Sequence, residues 1–378
     1  MSEAMNDSMI EQSAARLFAS QVDRALLTRF EAGEFPQTLW QRAVDQGLTL
    51  ALATEDAGGI AASWAEAYPI LRGIGYWQVP LPLAETMIAG LLLSMAGATV
   101  PDGPIALVEE DRDNVFELTD NDNDSGGGAQ LTGSALRVRW ASACRWALVS
   151  LAGPNGRQLA LVDLHHADSV TLIARSNMAN EPSDDLQLRG APCLARVANP
   201  LPALDSPLRT LGAVASSAMM VGAMEWLLEQ SVQYATDRVQ FGRPIGKNQA
   251  IQQQLALLAG EVAAARVAAI VACADAPGVA ASDCRASVFS AAVAKIRGGE
   301  AATRATSIAH QVHGAIGFTY EHSLNFATRR LWAWREAYGA DAWWAARLGQ
   351  AVIQGSAAGF WPAITDRHLD GLTLPAGR

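Results

Sequence analysis

The sequence predicts an α+β multidomain protein, in which an N-terminal helical domain and a C-terminal four-helix bundle flank a middle β domain. Three observations predict this order. Apolar residues recur at helical spacing up to residue 101, short strand-like runs between Gly, Pro and Asn residues follow, and long Ala- and Leu-rich segments return after residue 207. The predicted domains are residues 1–101, 102–206 and 207–378, and the chain is long enough for units of this size.

The N-terminal domain is predicted from helical spacing and from helix-end signals. Residues 35–47 begin near Pro36 and end at a glycine, as helices often do. The apolar stretch 87–100 is too short to span a bilayer and predicts a buried helix, so we expect no membrane insertion. Residues 1–12 lack the basic and apolar regions of a signal peptide, which predicts a cytoplasmic protein.

Short apolar runs predict the strands of the middle domain at 105–108, 136–140, 146–151 and 158–162. The run Leu136–Trp140 alternates apolar and charged residues. The segment Asp120–Gly126 superficially resembles a calcium loop, but Leu131 stands where a bidentate Glu is needed. We therefore predict a solvated acidic turn and no metal site.

Long helices are predicted in the C-terminal domain at Thr210–Arg238, Asn248–Ala274, from Ser282-Asp283 to about His313, and at Asp341–Ala358. Their short connections favour antiparallel neighbours. The formal net charge of -10 argues against nucleic acid or an anionic membrane as the main partner. The four cysteines form no CxxC pair, which is typical of structural thiols in a reducing compartment.

The first segment that indicates chemistry is Tyr234–Gln252. A helix is predicted to end near Arg238, a loop with Gly and Pro follows, and a new helix begins near Asn248. An Arg at such a point can make paired hydrogen bonds to phosphate, and the next helix start adds free N–H donors. The pattern indicates a pyrophosphate site, and the alternative is an ordinary interhelical turn with an exposed Arg.

The second segment is Gln311–His322. Gly314 and Gly317 interrupt a helix and allow a ligand to approach the backbone. The Gln311 amide can both donate to and accept from a purine or a phosphate. Taken alone, this segment does not define a ligand.

Together, about 70 residues apart, the two segments resemble the acyl-CoA dehydrogenase family. That family carries an Arg-x-x-Phe-Gly loop before a helix that opens with Gln, and later a Gln-x-x-Gly-Gly turn before Gly-Phe. The matching residues are Arg238, Phe241, Gly242, Gln249, Gln311, Gly314, Gly317 and Phe318, with Ala315 in place of the second glycine. The α–β–α order also agrees with the family's architecture over nearly the whole chain.

The resemblance implies FAD as the cofactor, shared between subunits. Arg238 and Gln240 would grip the FAD pyrophosphate of the neighbouring subunit, and Phe241 would pack near the adenine. Gln249 opens the following helix, and the turn from Gln311 through Gly314 would lie along the adenosine half. A Trp-x-Thr segment of the family touches the isoalloxazine ring; its counterpart here is Trp140-Ala141-Ser142, unless Trp140 is a strand core residue.

The sequence departs from the family where the reaction needs a carboxylate to remove the α-proton beside the thioester. The usual position of that base holds Tyr338, and the alternative position on the preceding helix holds Gly212. Glu336 is the candidate base by proximity, with Glu321 as an alternative, and either is otherwise a surface or salt-bridged residue. The family's Thr-Glu-Pro-x-x-Gly-Ser loop is also missing, because residues 107–111 read Leu-Val-Glu-Glu-Asp.

The resemblance thus implies an FAD-dependent acyl-CoA dehydrogenase, or a subunit of one, that desaturates an acyl-CoA thioester and passes electrons to an electron-transfer flavoprotein or a similar acceptor. The expected assembly is a homodimer or homotetramer, or a heterotetramer with a second dehydrogenase-like chain. One alternative is a non-catalytic partner subunit that completes another chain's FAD site. The other is a flavin monooxygenase or oxidase on the same fold.

Overall fold

A computed structural model describes residues 2–120, 128–280, 283–319, 321–355, 357–369, 371, 372 and 374, with side chains from residue 10 onward. The predicted acidic turn after Asp120 lies outside the described residues, as does Ser282; the helix predicted to start near Ser282-Asp283 begins at Ser287.

The N-terminal part is helical, as predicted. Its helices are α1 Ser2–Gln21, α2 Arg24–Glu31, α3 Gln37–Asp45, α4 Trp64–Tyr76 and α5 Leu83–Met95. The carboxylate of Asp23 accepts the Leu26 N–H at 2.7 Å and caps α2, and Ser63 and Glu66 form a capping box at α4. Helix α5 is buried along nearly its whole length, which explains its lack of an amphipathic pattern.

The middle part is a seven-stranded sheet. Its strands are β1 Ile105–Glu109, β2 Val115–Asp120, β3 Ala129–Arg139, β4 Trp146–Gly153, β5 Gly156–Asp163, β6 Val170–Ile173 and β7 Ser183–Ala198. The order is β1-β4-β5-β7-β3-β2, with β6 paired to β7, and only the β1–β4 pair is parallel. The strand pattern missed β2, β6 and the long β7, because charged and small residues interrupt their apolar positions.

The C-terminal part is a helical domain. It contains α6 Pro207–Asp237, α7 Gln249–Asp275, α8 Ser287–His313, α9 Leu324–Glu336, α10 Asp341–Gln354 and α11 Phe360–Asp366. A two-stranded hairpin, β8 Val239–Gln240 and β9 Arg243–Pro244, lies between α6 and α7. The four predicted helices correspond to α6, α7, α8 and α10, and α9 was not predicted. Its inward face includes the polar residues Thr328 and Arg330, which interrupt the apolar stripe.

Helices α6 and α7 have the length and apolar composition of membrane spans. Composition alone does not separate such a span from a core helix, but burial does. Helix α6 is mostly buried between α4 and α8, whereas α7 exposes much of its apolar surface, including Leu257, Val267 and Ile270. Helix α6 is therefore the central helix of the core.

Two glycines allow α4 and α6 to pack backbone to backbone. A Cβ on Gly75 would lie 1.7 Å from the Met219 carbonyl oxygen, and one on Gly222 would lie 1.9 Å from the Arg72 carbonyl oxygen. Only glycine fits at these positions, because the obstructing atoms belong to the backbone and cannot rotate away.

We expect Gly222→Ala to lower the free energy of unfolding by about 3 kcal/mol, because the added methyl group forces α4 and α6 apart. The matched control is Gly260→Ala on the exposed side of α7, where a Cβ meets no atom within 4 Å. That change should be neutral or stabilise the protein by up to about 1 kcal/mol through helix propensity. Urea unfolding of the two variants measures both effects, and equal stability of the two would contradict the close approach.

Candidate functional site

A cavity of about 550 Å³ lies between the sheet and the C-terminal helices. It forms where β1 ends, β3 bulges, α6 begins and α9 ends. The polar residues that line it include Glu109, Asp111, Arg137, Arg139, Glu336 and Tyr338.

Tyr338 occupies the centre of this region. After α9 the chain turns through two left-handed residues, Tyr338 at φ 56° and Gly339 at φ 95°. The Tyr338 ring packs directly on Gly212 of α6, where a Cβ would lie 2.4 Å from the ring atom Cδ1. The phenol donates a hydrogen bond to Glu85 Oε1 at 3.2 Å. Burial and Glu85 raise the pKa of Tyr338 well above its usual value, so the phenol is a neutral donor and not a base.

Four buried charged residues behind Tyr338 join all three parts of the chain. Arg139 Nε lies 3.4 Å from Glu85 Oε1 of α5, and Arg139 Nη2 lies 3.5 Å from Glu181 Oε2. The other oxygen of Glu181 is 3.7 Å from Arg330 Nε on α9. Burial raises the pKa of Glu85 although Arg139 opposes the shift. A buried pair of this kind is costly to break, because the remaining charge loses its partner.

Lys295 of α8 holds the end of α9 in place. Its side chain is fully buried, and Nζ donates to the carbonyl oxygens of Trp334, Arg335 and Ala337 at 2.8, 3.0 and 2.8 Å. Burial, with a contribution from Arg139, lowers the pKa of Lys295 to about 7. The three hydrogen bonds close α9 and fix the turn that carries Tyr338.

Glu336, the candidate base, lines the cavity and is exposed. It forms no ion pair with any residue that the structure describes. Two nearby arginines of α9 pair elsewhere, since Arg335 binds both oxygens of Asp341 at 3.0 Å and Arg329 binds Glu31 at 2.6 Å. Glu321 is also exposed, but it does not line the cavity.

Trp140 and Ser142, the predicted ring contacts, do not line the cavity. Trp140 is 1% exposed and packs against Phe30 of α2 with ring centroids 5.8 Å apart. The Ser142 N–H donates to Asp184 Oδ2 at 2.8 Å. The residues of this strand that line the cavity are 136–139.

Arg137 and Arg139 are thus cavity residues that the sequence analysis missed. The signal was present in the alternation of Leu136–Trp140. Val138 and Trp140 are buried in the sheet core, so Arg137 and Arg139, which alternate with them, face away from that core.

The hairpin β8–β9 projects from the end of α6. Arg238 and Gln240 are exposed, and Phe241 at the tip is 102% exposed with φ 51°. The Ile245 N–H donates to the Arg238 carbonyl oxygen at 2.9 Å and closes the hairpin base. Gln249, also exposed, is the first residue of α7.

A second, open groove of about 740 Å³ follows the last turns of α8. The predicted residues Gln311 and Gly314 line it, and Gly314 adopts φ 62°. Tyr234 of α6 stacks on His313 of α8 with centroids 4.6 Å apart, so the groove and the hairpin lie at the same end of the helices. Trp332 lines both this groove and the cavity, which makes the two sites neighbours.

Comparisons with known proteins agree with this architecture. The fold is similar to that of the Tcur3481–Tcur3483 steroid acyl-CoA dehydrogenase, with a TM-score of 0.80 and 23% identity over 93% of this chain and 99% of that one. It is equally similar to the ChsE4–ChsE5 complex from Mycobacterium tuberculosis, with a TM-score of 0.80 and 22% identity over 93% and 98% of the two chains. The fold is therefore that of the acyl-CoA dehydrogenases.

Sequence relatives lead to the same class. The family model for the acyl-CoA dehydrogenase C-terminal domain matches residues 210–352. The acyl-CoA dehydrogenase IpdE2 of Mycobacterium tuberculosis is 27% identical over 325 residues, which cover 85% of this chain and 89% of that protein. The C-terminal part of the chain thus matches the acyl-CoA dehydrogenase family, and the chain is similar to acyl-CoA dehydrogenases over most of its length, which gives the activity at the family level as that of an acyl-CoA dehydrogenase-type oxidoreductase.

We expect Lys295→Met to lower the free energy of unfolding by about 2–4 kcal/mol, because it leaves three buried carbonyl oxygens without their donor. The effect should depend on pH. The unfolded chain keeps the Lys295 proton up to the ordinary pKa of 10.5, whereas the folded chain releases it near 7.

Through this residue, wild-type stability therefore rises with pH between these two values, by up to about 1.4 kcal/mol per pH unit. The difference in free energy of unfolding between wild type and Lys295→Met, measured in urea, should widen as the pH rises from about 7 to about 10. A constant difference across that range would show that the pKa of Lys295 is not lowered.

Proposed function

We propose that this chain is a subunit of a heteromeric acyl-CoA dehydrogenase, which holds the phosphate and adenosine end of a partner subunit's FAD and supplies no catalytic base. The observation that carries the proposal is the contact between Tyr338 and Gly212. These are the two positions at which family members carry the base, and here a neutral phenol packs on a glycine.

The hairpin and the groove support the FAD-holding part of the proposal. Phe241 is fully exposed, which is unusual for a phenylalanine and favours a role at a subunit contact. Arg238 makes no ion pair with the described residues, so its guanidinium is available for a phosphate. The residues that would hold FAD are Arg238, Gln240, Phe241, Gln249, Gln311 and Gly314. When bound, FAD supplies the hydride acceptor of the family's reaction.

The residues that line the cavity support the proposal that this chain binds no flavin ring there. Where the family has its Thr-Glu-Pro loop, Glu109 lies 3.7 Å from Arg157 and Asp111 pairs with Arg209. Two charged residues, Arg137 and Arg139, occupy the strand wall in place of Trp140 and Ser142. A neutral flavin ring would displace water from these charged side chains without pairing with them. Such a ring would therefore bind this cavity weakly.

The assembly is proposed from the similar proteins and from α7. The ChsE4–ChsE5 complex and the Tcur3481–Tcur3483 enzyme each combine two different chains. An electron-transferring flavoprotein of Acidaminococcus fermentans is also among the similar structures, which supports a flavoprotein as electron acceptor. The exposed apolar residues Leu257, Val267 and Ile270 of α7 suit a contact with a second dehydrogenase-like chain.

Purified alone, the chain should show no stoichiometric flavin band in its visible spectrum, and co-expression with its partner should give a yellow complex. In that complex, Arg238→Ala should weaken FAD retention about tenfold or more, because a charge-assisted hydrogen bond to phosphate is lost. Arg196→Ala on the sheet surface is the matched control. A stoichiometric flavin band in the chain alone would contradict the proposal.

A second candidate function is a chain that carries its own base at Glu336, favoured by the position of this carboxylate on the cavity wall. Under our proposal, Glu336→Gln should leave turnover of an acyl-CoA substrate by the assembled enzyme unchanged, as should Glu321→Gln outside the cavity. Loss of about 10²- to 10⁴-fold in kcat for Glu336→Gln alone would identify Glu336 as the base.

A further inference from the structure

We propose that the cavity is a binding site for a small organic carboxylate, held between Arg137 and Arg139. The proposed function leaves this cavity without a flavin ring, and the inference goes beyond that function by giving the cavity a ligand of its own. Three features support this site: two guanidinium groups on one wall, donors that no described residue uses, and acidic residues nearby that are mostly paired.

The strand bulge fixes Arg137 in an uncommon conformation. Register between β3 and β7 shifts between Ala135 and Val138, and Arg137 adopts φ 53°. Asp185 accepts the Arg137 N–H at 3.1 Å, and the Ser183 hydroxyl donates to the Arg137 carbonyl oxygen at 3.3 Å. A left-handed arginine costs free energy, and it persists because its surroundings hold it there, a situation that is common at binding sites.

The Arg137 side chain is exposed on the cavity wall and makes no ion pair within the part of the chain that the structure describes. Asp185, which accepts the backbone N–H of Arg137, is already paired with the Arg175 side chain at 2.6 Å. Arg137 therefore offers a complete guanidinium fork to a ligand that enters the cavity.

Arg139 is the inner group. Its side chain is 13% exposed. Burial alone would lower the pKa of Arg139, but the carboxylates of Glu181 and Glu85 outweigh burial and raise this pKa. Its Nε atom lies 3.4 Å from Glu85 Oε1, whereas its buried Nη1 atom has no hydrogen-bond acceptor among the described residues. A buried donor without an acceptor is rare in folded proteins, and a ligand oxygen at this position would satisfy it.

The acidic residues that line the cavity do not cancel these charges, because most of them are paired. Glu109 accepts the Arg209 N–H at 2.9 Å and lies near Arg157, and Asp111 pairs with the Arg209 side chain. Glu336 is the one acidic residue of the described lining that has no ion-pair partner among the described residues. The phenol of Tyr338 is neutral and adds a polar group beside Arg139.

A planar carboxylate fits this wall better than a compact cation or an apolar chain does, because the Arg137 fork can donate two parallel hydrogen bonds to its oxygens and Arg139 Nη1 can donate a third. The volume of about 550 Å³ suits a small molecule or the end of an acyl group. Two kinds of ligand present such a carboxylate: a free carboxylic acid, and an acyl thioester that ends in a carboxylate.

Calorimetric titration of the full chain, alone or in its complex, tests the site with four probes. Glutarate and its neutral isostere glutaramide represent the free ligand, and glutaryl-CoA and butyryl-CoA represent the thioester. We expect glutarate or glutaryl-CoA to bind about tenfold or more tightly than its uncharged counterpart, with the difference shrinking at high salt. Binding of glutarate identifies a free carboxylate, and binding of glutaryl-CoA alone identifies a carboxylated acyl group.

Arg137→Gln should abolish the preference for the charged probes. The variant should fold normally, because the Arg137 side chain is exposed. Arg145→Gln, an exposed arginine of the same sheet outside the cavity, is the charge-matched control and should bind like wild type. Equal binding of charged and neutral probes, no binding of any probe, or an unchanged preference in Arg137→Gln would each overturn the site.

The visible spectrum of the same samples tests the proposed function separately. A flavin band in the chain alone without carboxylate binding overturns both proposals, and a colourless chain that binds no probe overturns only the carboxylate site. Carboxylate binding that depends on Arg137 supports the site whether or not flavin is present.

Discussion

The buried chain of charges from Glu85 through Arg139 and Glu181 to Arg330 is the interaction on which the rest of the site depends. It connects α5, the end of β3 and α9, and therefore all three parts of the fold, at one point behind the cavity. Each charge is tolerated only because its neighbours compensate it, since an isolated charge in this position would be very costly. The network consequently fixes the relative position of the cavity walls.

This network also explains why a phenol suits position 338. Glu85 is buried and accepts the Tyr338 hydroxyl, so a neutral donor at this position satisfies it. A carboxylate at the same position would face Glu85 at close range, and two like charges in a buried site cannot both ionise readily. The ring also covers Gly212. Tyr338 and Gly212 are therefore parts of one packing arrangement.

The exposed hairpin and groove differ from the cavity in the partners that their side chains have. The hairpin with Phe241 and the groove with Gln311 present exposed side chains whose use requires another molecule. The cavity, in contrast, is lined in large part by charged residues that pair within the chain, around Arg209 and Arg139. This arrangement is what the proposed heteromeric assembly requires, because a second chain would then bring the reacting groups.

The sequence by itself determined the α–β–α order, most long helices and the residues of the hairpin and groove, because helical periodicity, turn residues and the paired Arg and Gln motifs are local in the chain. It did not determine α9, β7 or the cavity wall, where Arg137 and Arg139 line the site and Trp140 and Ser142 do not. Only the tertiary structure decided these features, because they depend on residues that lie far apart in the chain. Such residues meet in the bulge of β3, in the pairing of Glu85 with Tyr338 and in the packing on Gly212.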